Sequence, residues 1–197
     1  MAFEKKMFNT IIHDISLYLS EYIDVALKTA CTVALLKFLA CWVIQAKNVT
    51  QQSDQKSIYR SFITLPIDFS AVFYAFMVIV ITFFSRMEGS TNAVNLRLFS
   101  TFGTDLQSKI FIVENIIMFV PFGAFLRLYG VKRFPVSLAV VSVASMAIEV
   151  LQFLTGRGIM QIDDILTNTI GGCIGFIATN LLFMVKYRIV MKCRSRK

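Results

Sequence analysis

Three groups of polar residues interrupt otherwise apolar stretches of this sequence, and they are where its chemistry is expected. Together they contain Glu114, Asn115, Ser145, Glu149, Gln152, Asp163, Asp164 and Asn168. An ionisable side chain in the hydrocarbon of a bilayer is energetically costly, so it usually faces the interior of a helix bundle or a water-filled cavity. The four carboxylates in these groups therefore predict a functional site inside a membrane.

The spacing within two of the groups places side chains on a common face of a helix. Ser145, Glu149 and Gln152 follow one another at i, i+4 and i+7, and Asp164 and Asn168 are four residues apart. Residues with these separations lie above one another on one side of an α-helix. We therefore expect the groups to converge on a single polar pocket between three helices.

Two arginines are available to balance the acidic side chains. Arg97 and Arg157 fall in loops next to the polar groups, and a guanidinium group binds carboxylates through two parallel hydrogen bonds. A structural interpretation is an internal ion-pair network that only holds the helices together. Four carboxylates against two arginines leave acid that such a network does not need, which favours a ligand site.

Composition identifies the elements that must carry these groups. Hydrophobic residues make up 56% of the 197, and the mean hydropathy is +0.68. Most of the apolar stretches approach the roughly 20 residues that cross a hydrocarbon core. They cover residues 25–45, 69–84, 110–128, 136–154 and 165–185. We predict an all-α membrane protein with a bundle of about five transmembrane helices.

The N-terminal part of the chain carries a different pattern. Phe8, Ile11, Ile15 and Leu19 recur at helical spacing between polar residues, which predicts an amphipathic helix at the membrane interface or a plain extension of the first span. That span contains Lys37 close to its middle, and this ammonium group needs a partner. Whether the first span fully crosses, and hence the side of the N-terminus, is left open.

We expect three regions along the chain. They are an N-terminal segment with the first membrane helix and a loop over residues 1–66, a transmembrane domain over 67–188 and a basic tail over 189–197. Glycines at 171, 172 and 175 predict a close-packed helix face in the last span, with Gly123 allowing a neighbour to approach. Pro121 predicts a kink in the third span.

The distribution of basic residues predicts the orientation. The net charge of +8 comes largely from the tail, and a basic segment next to a membrane helix usually stays in the cytoplasm. With five spans, the cytoplasmic side holds Lys47, Lys56, Arg60, Arg127, Lys132, Arg133 and six tail residues. The outer side holds Lys5, Lys6, Arg86, Arg97, Lys109 and Arg157. The polar groups then lie near the outer surface, at a similar depth.

At these residues the sequence resembles the VanZ-like family of small bacterial membrane proteins, over about residues 69–185. The matching positions are Asn95, Leu96, Phe99, residues 115–123, Ser145, Glu149, Gln152, Thr155, Gly156, Arg157, Asp163, Asp164, Asn168, Gly171, Gly172 and Gly175. The commoner family form has a proline shortly after the Asn-Leu pair, and this chain does not. The first span lies outside the four-helix core of the family.

The resemblance implies a multi-pass protein of the plasma membrane that acts at the cell envelope. Members of the family are associated with reduced susceptibility to glycopeptide antibiotics, especially lipoglycopeptides such as teicoplanin. Our leading hypothesis is an outward-facing polar pocket that binds an amphiphile. Candidate ligands are a lipid-linked cell-wall precursor, a membrane lipid headgroup or a lipoglycopeptide.

Other functions stay open at this point. An intramembrane enzyme acting on a lipid-linked substrate could use Glu149 and Asp164 as general acid and base, or hold a divalent cation with Glu114, Asp163 and Asp164. No familiar catalytic motif supports that hypothesis. Proton-coupled transport and a purely structural role are further alternatives.

For partners, we expect membrane lipids. We expect no cofactor, no metal ion and no nucleic acid, and a homo-oligomer is left open. The four cysteines lack the spacing of metal ligands.

Overall fold

The computed structural model describes residues 2–47, 54–84, 93–103 and 105–194, with side chains for most of them. Several charges used to predict the orientation belong to side chains outside this description. They are Lys47, Lys56, Arg60, Arg86, Arg194, Arg196 and Lys197.

Five α-helices make up almost all of the described chain, which confirms the all-α prediction. They are α1 (Ala2–Lys47), α2 (Asp54–Ile79), α3 (Leu106–Leu128), α4 (Phe134–Leu154) and α5 (Ile162–Arg194). A π-helical turn, Val80–Phe84, continues α2. The two short strands β1 (Val94–Asn95) and β2 (Met160–Gln161), which the sequence did not predict, pair in parallel.

Among the described residues, four helices are long and apolar enough to cross a membrane. These segments are Thr64–Phe83, Leu106–Leu128, Phe134–Leu154 and Ile162–Cys193. The predicted first span over 25–45 is not one of them, and the side chains of residues 41–45 lie outside the described part. A crossing by α1 therefore stays a prediction.

The described chain forms two compact units, one of Asp14–Phe84 and one of Met1–His13 with Ser85–Lys197. In the first unit, Lys37 of α1 donates hydrogen bonds to Asp68 and, over 3.3 Å, to Thr64 of α2. This ion pair supplies the partner that Lys37 needs. The amphipathic segment and the first apolar stretch form one continuous helix. This agrees with the alternative in which the segment is a plain N-terminal extension of the first apolar helix. The predicted boundaries at residues 66 and 188 stay predictions.

Helix α5 is the centre of the second unit, because it packs along both α3 and α4 while these two touch each other little. Glycines bring the backbones of α3 and α5 into contact. A Cβ atom on Gly175 would lie 1.8 Å from the carbonyl oxygen of Val120, and one on Gly123 would lie 1.8 Å from that of Gly172. The predicted close-packed glycine face is confirmed.

Helix α3 begins at a capping residue. The Asp105 carboxylate accepts hydrogen bonds from the backbone N–H of Ser108 at 2.9 Å and from its hydroxyl at 2.8 Å. Such a bond satisfies one of the N–H groups that the first turn of a helix leaves without a partner. The same hydrogen bonds to Ser108 hold the pKa of the Asp105 carboxyl below its ordinary value.

The glycine contact between α3 and α5 generates a prediction. We expect Gly175→Ala to lower the free energy of unfolding by at least about 2 kcal/mol, because overpacking costs about 1–3 kcal/mol and the clash here is with backbone atoms. Thermal unfolding of the purified protein in detergent measures the change.

Ala178→Val is the matched control, since it enlarges an exposed residue of the same helix. Equal melting temperatures for Gly175→Ala and Ala178→Val would contradict the close contact.

Candidate functional site

The polar groups lie at the end of the bundle where α3 begins, α4 ends and α5 begins, which we call the strand end. The strands β1 and β2 pair here, with Val94 opposite Met160 and Asn95 opposite Gln161. The loop before α3 is thereby joined to the connection between α4 and α5. All the candidate site residues belong to this one compact unit.

Helices α3 and α5 are connected by an amide and a carboxylate. The Asn115 side chain donates a hydrogen bond of 3.0 Å to Oδ1 of Asp164. Asn115 lies nine residues after the start of α3 at Leu106, whereas Asp164 lies only two after the start of α5 at Ile162. The hydrogen bond brings the two side chains to one level, although Asn115 lies farther from the start of its helix than Asp164 does.

A row of polar contacts connects α4 and α5. The Asn168 side chain donates a hydrogen bond of 2.9 Å to the hydroxyl of Ser145, and both residues are buried. One turn deeper, the hydroxyls of Ser142 and Thr169 lie 3.2 Å apart. Asn168 thus faces α4 while Asp164, on the same side of α5, reaches α3.

Glu149 occupies the same face of α4, one turn nearer to the strand end than Ser145. Only 2% of it is exposed, and its Oε2 accepts a hydrogen bond of 2.9 Å from the backbone N–H of Gln161. Because Gln161 of β2 pairs with Asn95 of β1, this hydrogen bond connects the Glu149 carboxylate to the two paired strands. Gln152, on the next turn of α4, is also buried.

The side chain of Asp163 points away from that of its neighbour Asp164 and has different partners. Its carboxylate accepts hydrogen bonds from the N–H groups of Phe99 at 2.7 Å and Thr101 at 2.9 Å. It also accepts from the hydroxyls of Thr101 at 2.7 Å and Ser100 at 3.3 Å. Consecutive residues of a helix point about 100° apart, which separates the two aspartates. Asp163 anchors the loop before α3 and leaves the predicted pocket without one of its acids.

This placement also corrects the hypothesis of a cation held by Glu114, Asp163 and Asp164. Both oxygens of Asp163 are already occupied by donors from the loop. Within the described ranges, no group of three or more histidine, cysteine, aspartate or glutamate side chains is arranged to hold a metal ion.

The two arginines occupy different surroundings. Gly156, two residues after the end of α4, has the left-handed conformation with φ 66°, and the N–H of Arg157 donates over 2.9 Å to the carbonyl of Gln152. This arrangement is a Schellman motif, which explains the glycine in the sequence and holds a half-buried Arg157 at the strand end. Arg97 is exposed in the loop before α3, and Glu114 is half-buried on α3.

The sequence did not predict which groups donate hydrogen bonds to the two buried carboxylates, those of Glu149 and Asp163. Ser100 and Thr101 are adjacent hydroxyl residues, a composition that can satisfy a carboxylate, but they lie more than 60 residues from Asp163. The backbone N–H of Gln161 gives no sequence signal at all. The side chain of Asn95 completes the arrangement by donating a 2.8 Å hydrogen bond to Ser100.

The fold and the site define a class of small multi-pass membrane proteins, in which three membrane helices bring carboxylate, amide and hydroxyl groups together at one end. Within that class, the family model described as VanZ/LLP1 matches residues 69–184. The match covers more than half of the chain. The chain therefore belongs to the VanZ family, a family of membrane proteins linked to glycopeptide resistance.

A comparison with curated proteins supports the same membership. The chain is 38% identical over 64 residues to "Protein VanZ" of Enterococcus faecium. That alignment covers 32% of this chain and 40% of the relative, so it spans less than half of the length of either protein. No solved structure matches the chain.

The anchoring of the loop by Asp163 generates a prediction. We expect Asp163→Asn to speed hydrogen exchange of the Phe99 and Thr101 amides by about tenfold or more, since a hydrogen bond to a charged group contributes about 1.5–3 kcal/mol. Exchange followed by mass spectrometry of the peptide that contains both residues measures the effect.

Asp164→Asn is the matched control, because the neighbouring aspartate accepts a hydrogen bond from Asn115 on α3. The anchoring role is refuted if both variants change the exchange of the loop amides equally.

Proposed function

We propose that this protein lies in the plasma membrane with its C-terminus in the cytoplasm and its strand end facing outward. There it binds an amphiphilic or lipid-linked ligand in a polar site between α3, α4 and α5. By doing so it contributes to resistance against glycopeptide antibiotics, in particular lipoglycopeptides such as teicoplanin.

The charges at the opposite end support this orientation. Arg127 near the end of α3, together with Lys132 and Arg133 in the connection to α4, lies away from the strand end. The basic residues in the last part of α5 fall on that side as well. Short loops rich in lysine and arginine usually stay in the cytoplasm, which leaves the strand end outside.

The observation that carries the proposal is the burial of Glu149 inside a membrane bundle. Its carboxylate is 2% exposed and lies one turn from the hydrogen-bonded pair of Ser145 and Asn168. An ionisable residue kept in such a place is costly and is more often retained for function than for stability. The polar side chains of three helices thus lie close together at the strand end, which supports a ligand site there.

The chemistry of the site indicates the kind of ligand. Carboxylate oxygens of Glu149 and Asp164 suit ammonium or hydroxyl groups, whereas the guanidinium groups of Arg97 and Arg157 suit phosphate or carboxylate. The outer faces of the helices carry exposed apolar side chains, such as Leu151 and Leu154, which suit acyl chains. A lipid-linked wall precursor, a lipid headgroup and a lipoglycopeptide each combine these groups.

A ligand site and a structural network make different predictions for Glu149→Gln and Arg157→Ala. If the site binds a ligand, each variant should lower the inhibitory concentration of teicoplanin about tenfold, because a hydrogen bond to a charged group contributes about 1.5–3 kcal/mol. Both proteins should still accumulate in the membrane and unfold at the wild-type temperature.

Glu21→Gln is the matched control for the charge change, since this glutamate is exposed on α1. Wild-type resistance in both site variants would contradict the proposal. Loss of resistance that merely follows a loss of thermal stability would identify the polar groups as structural.

A further inference from the structure

The loop before α3 exposes four large apolar side chains within seven residues. We call residues 96–102 the apolar loop. The exposed fraction is 65% for Leu96, 55% for Leu98, 62% for Phe99 and 41% for Phe102. Scattered apolar residues are ordinary on a protein surface, but several within one short loop mark a contact with a partner or a membrane.

The backbone of this loop is held in place, so the exposure does not reflect an unfolded segment. Asp163 binds the N–H groups of Phe99 and Thr101, and Phe99 has a left-handed φ of 62°. A residue other than glycine keeps that conformation only where its surroundings enforce it. The Phe99 and Phe102 rings pack edge to face, with centroids 5.3 Å apart. The loop therefore presents a preformed apolar surface.

The position of the apolar loop indicates what covers this surface. It is hydrogen-bonded to Asp163 in the first turn of α5 and ends three residues before Asp105, the capping residue of α3. Both helices are apolar enough to span a membrane, so the strand end, where both begin, is expected at the level where the chain leaves the hydrocarbon. A loop fixed at that level faces the boundary between acyl chains and headgroups.

The composition of the loop fits the same boundary. Phenylalanine and leucine side chains favour the acyl side, and Arg97, exposed between Leu96 and Leu98, carries a charge that suits lipid phosphate. We propose that the apolar loop inserts into the adjacent lipid leaflet, with Leu98 and Phe102 among the acyl chains and Arg97 at the phosphate level. This insertion does not depend on ligand binding at the polar site.

Tryptophan fluorescence tests the proposal in the full chain. The sequence contains a single tryptophan, Trp42, so Trp42→Phe provides a background for Leu98→Trp. The purified protein is reconstituted in vesicles of phosphatidylcholine and phosphatidylglycerol, with or without phosphatidylcholine brominated near the headgroup end of its acyl chains. We expect blue-shifted emission that falls by about half in the brominated vesicles, as for side chains buried about 5–10 Å into the interface.

Lys192→Trp in the same background is the control. Lys192 is exposed and lies 30 residues after Ile162 in α5, or ~45 Å at 1.5 Å per residue, beyond a ~30 Å hydrocarbon core. Its emission should stay red-shifted and lose little intensity. Phe102→Trp serves as a second loop variant if Leu98→Trp does not accumulate.

Two results would overturn the proposal. Red-shifted, unquenched emission from the loop variants would place the apolar loop in water. Blue-shifted emission that brominated lipid does not quench would show that protein, such as a second copy of this chain, covers the loop instead.

Discussion

The inability of hydrocarbon to hydrogen-bond governs how this bundle is built at its strand end. A polar side chain that leaves water there is stabilised by a partner within the protein, because an unpaired group in an apolar medium is costly. Hydrogen bonds join Asn115 to Asp164, Asn168 to Ser145, and the carboxylate of Glu149 to the N–H of Gln161. Each of these bonds joins two different elements, so satisfying the polar groups also fixes the arrangement of the helices.

Short polar side chains can make these connections only because the helices lie unusually close. Asparagine and serine reach a partner on a neighbouring helix when the backbones approach, and the glycines of α3 and α5 allow that approach. Two faces of helix α5 therefore have different structural roles. Its glycine face sets the distance to α3, and its Asp164 and Asn168 form the polar contacts with α3 and α4.

The two consecutive aspartates of α5 illustrate how one short motif serves two purposes. Asp164 points into the bundle, whereas Asp163 gathers hydrogen bonds from Phe99, Ser100 and Thr101 and so shapes the apolar loop. The polar site and the apolar loop are consequently built on the same turn of helix. The apolar surface of the loop therefore lies beside the polar groups of the bundle.

The sequence alone determined the helical membrane class, the family resemblance and the glycine contact, because apolar length and small-residue spacing act locally along a helix. It also showed that Lys37 needs a partner. Only the tertiary structure decided which partners the polar groups take: Asp68 for Lys37, a distant loop for Asp163 and a backbone N–H for Glu149. Periodicity reports the side of a helix on which a residue lies, but a hydrogen bond depends on which other chain segment arrives within about 3 Å.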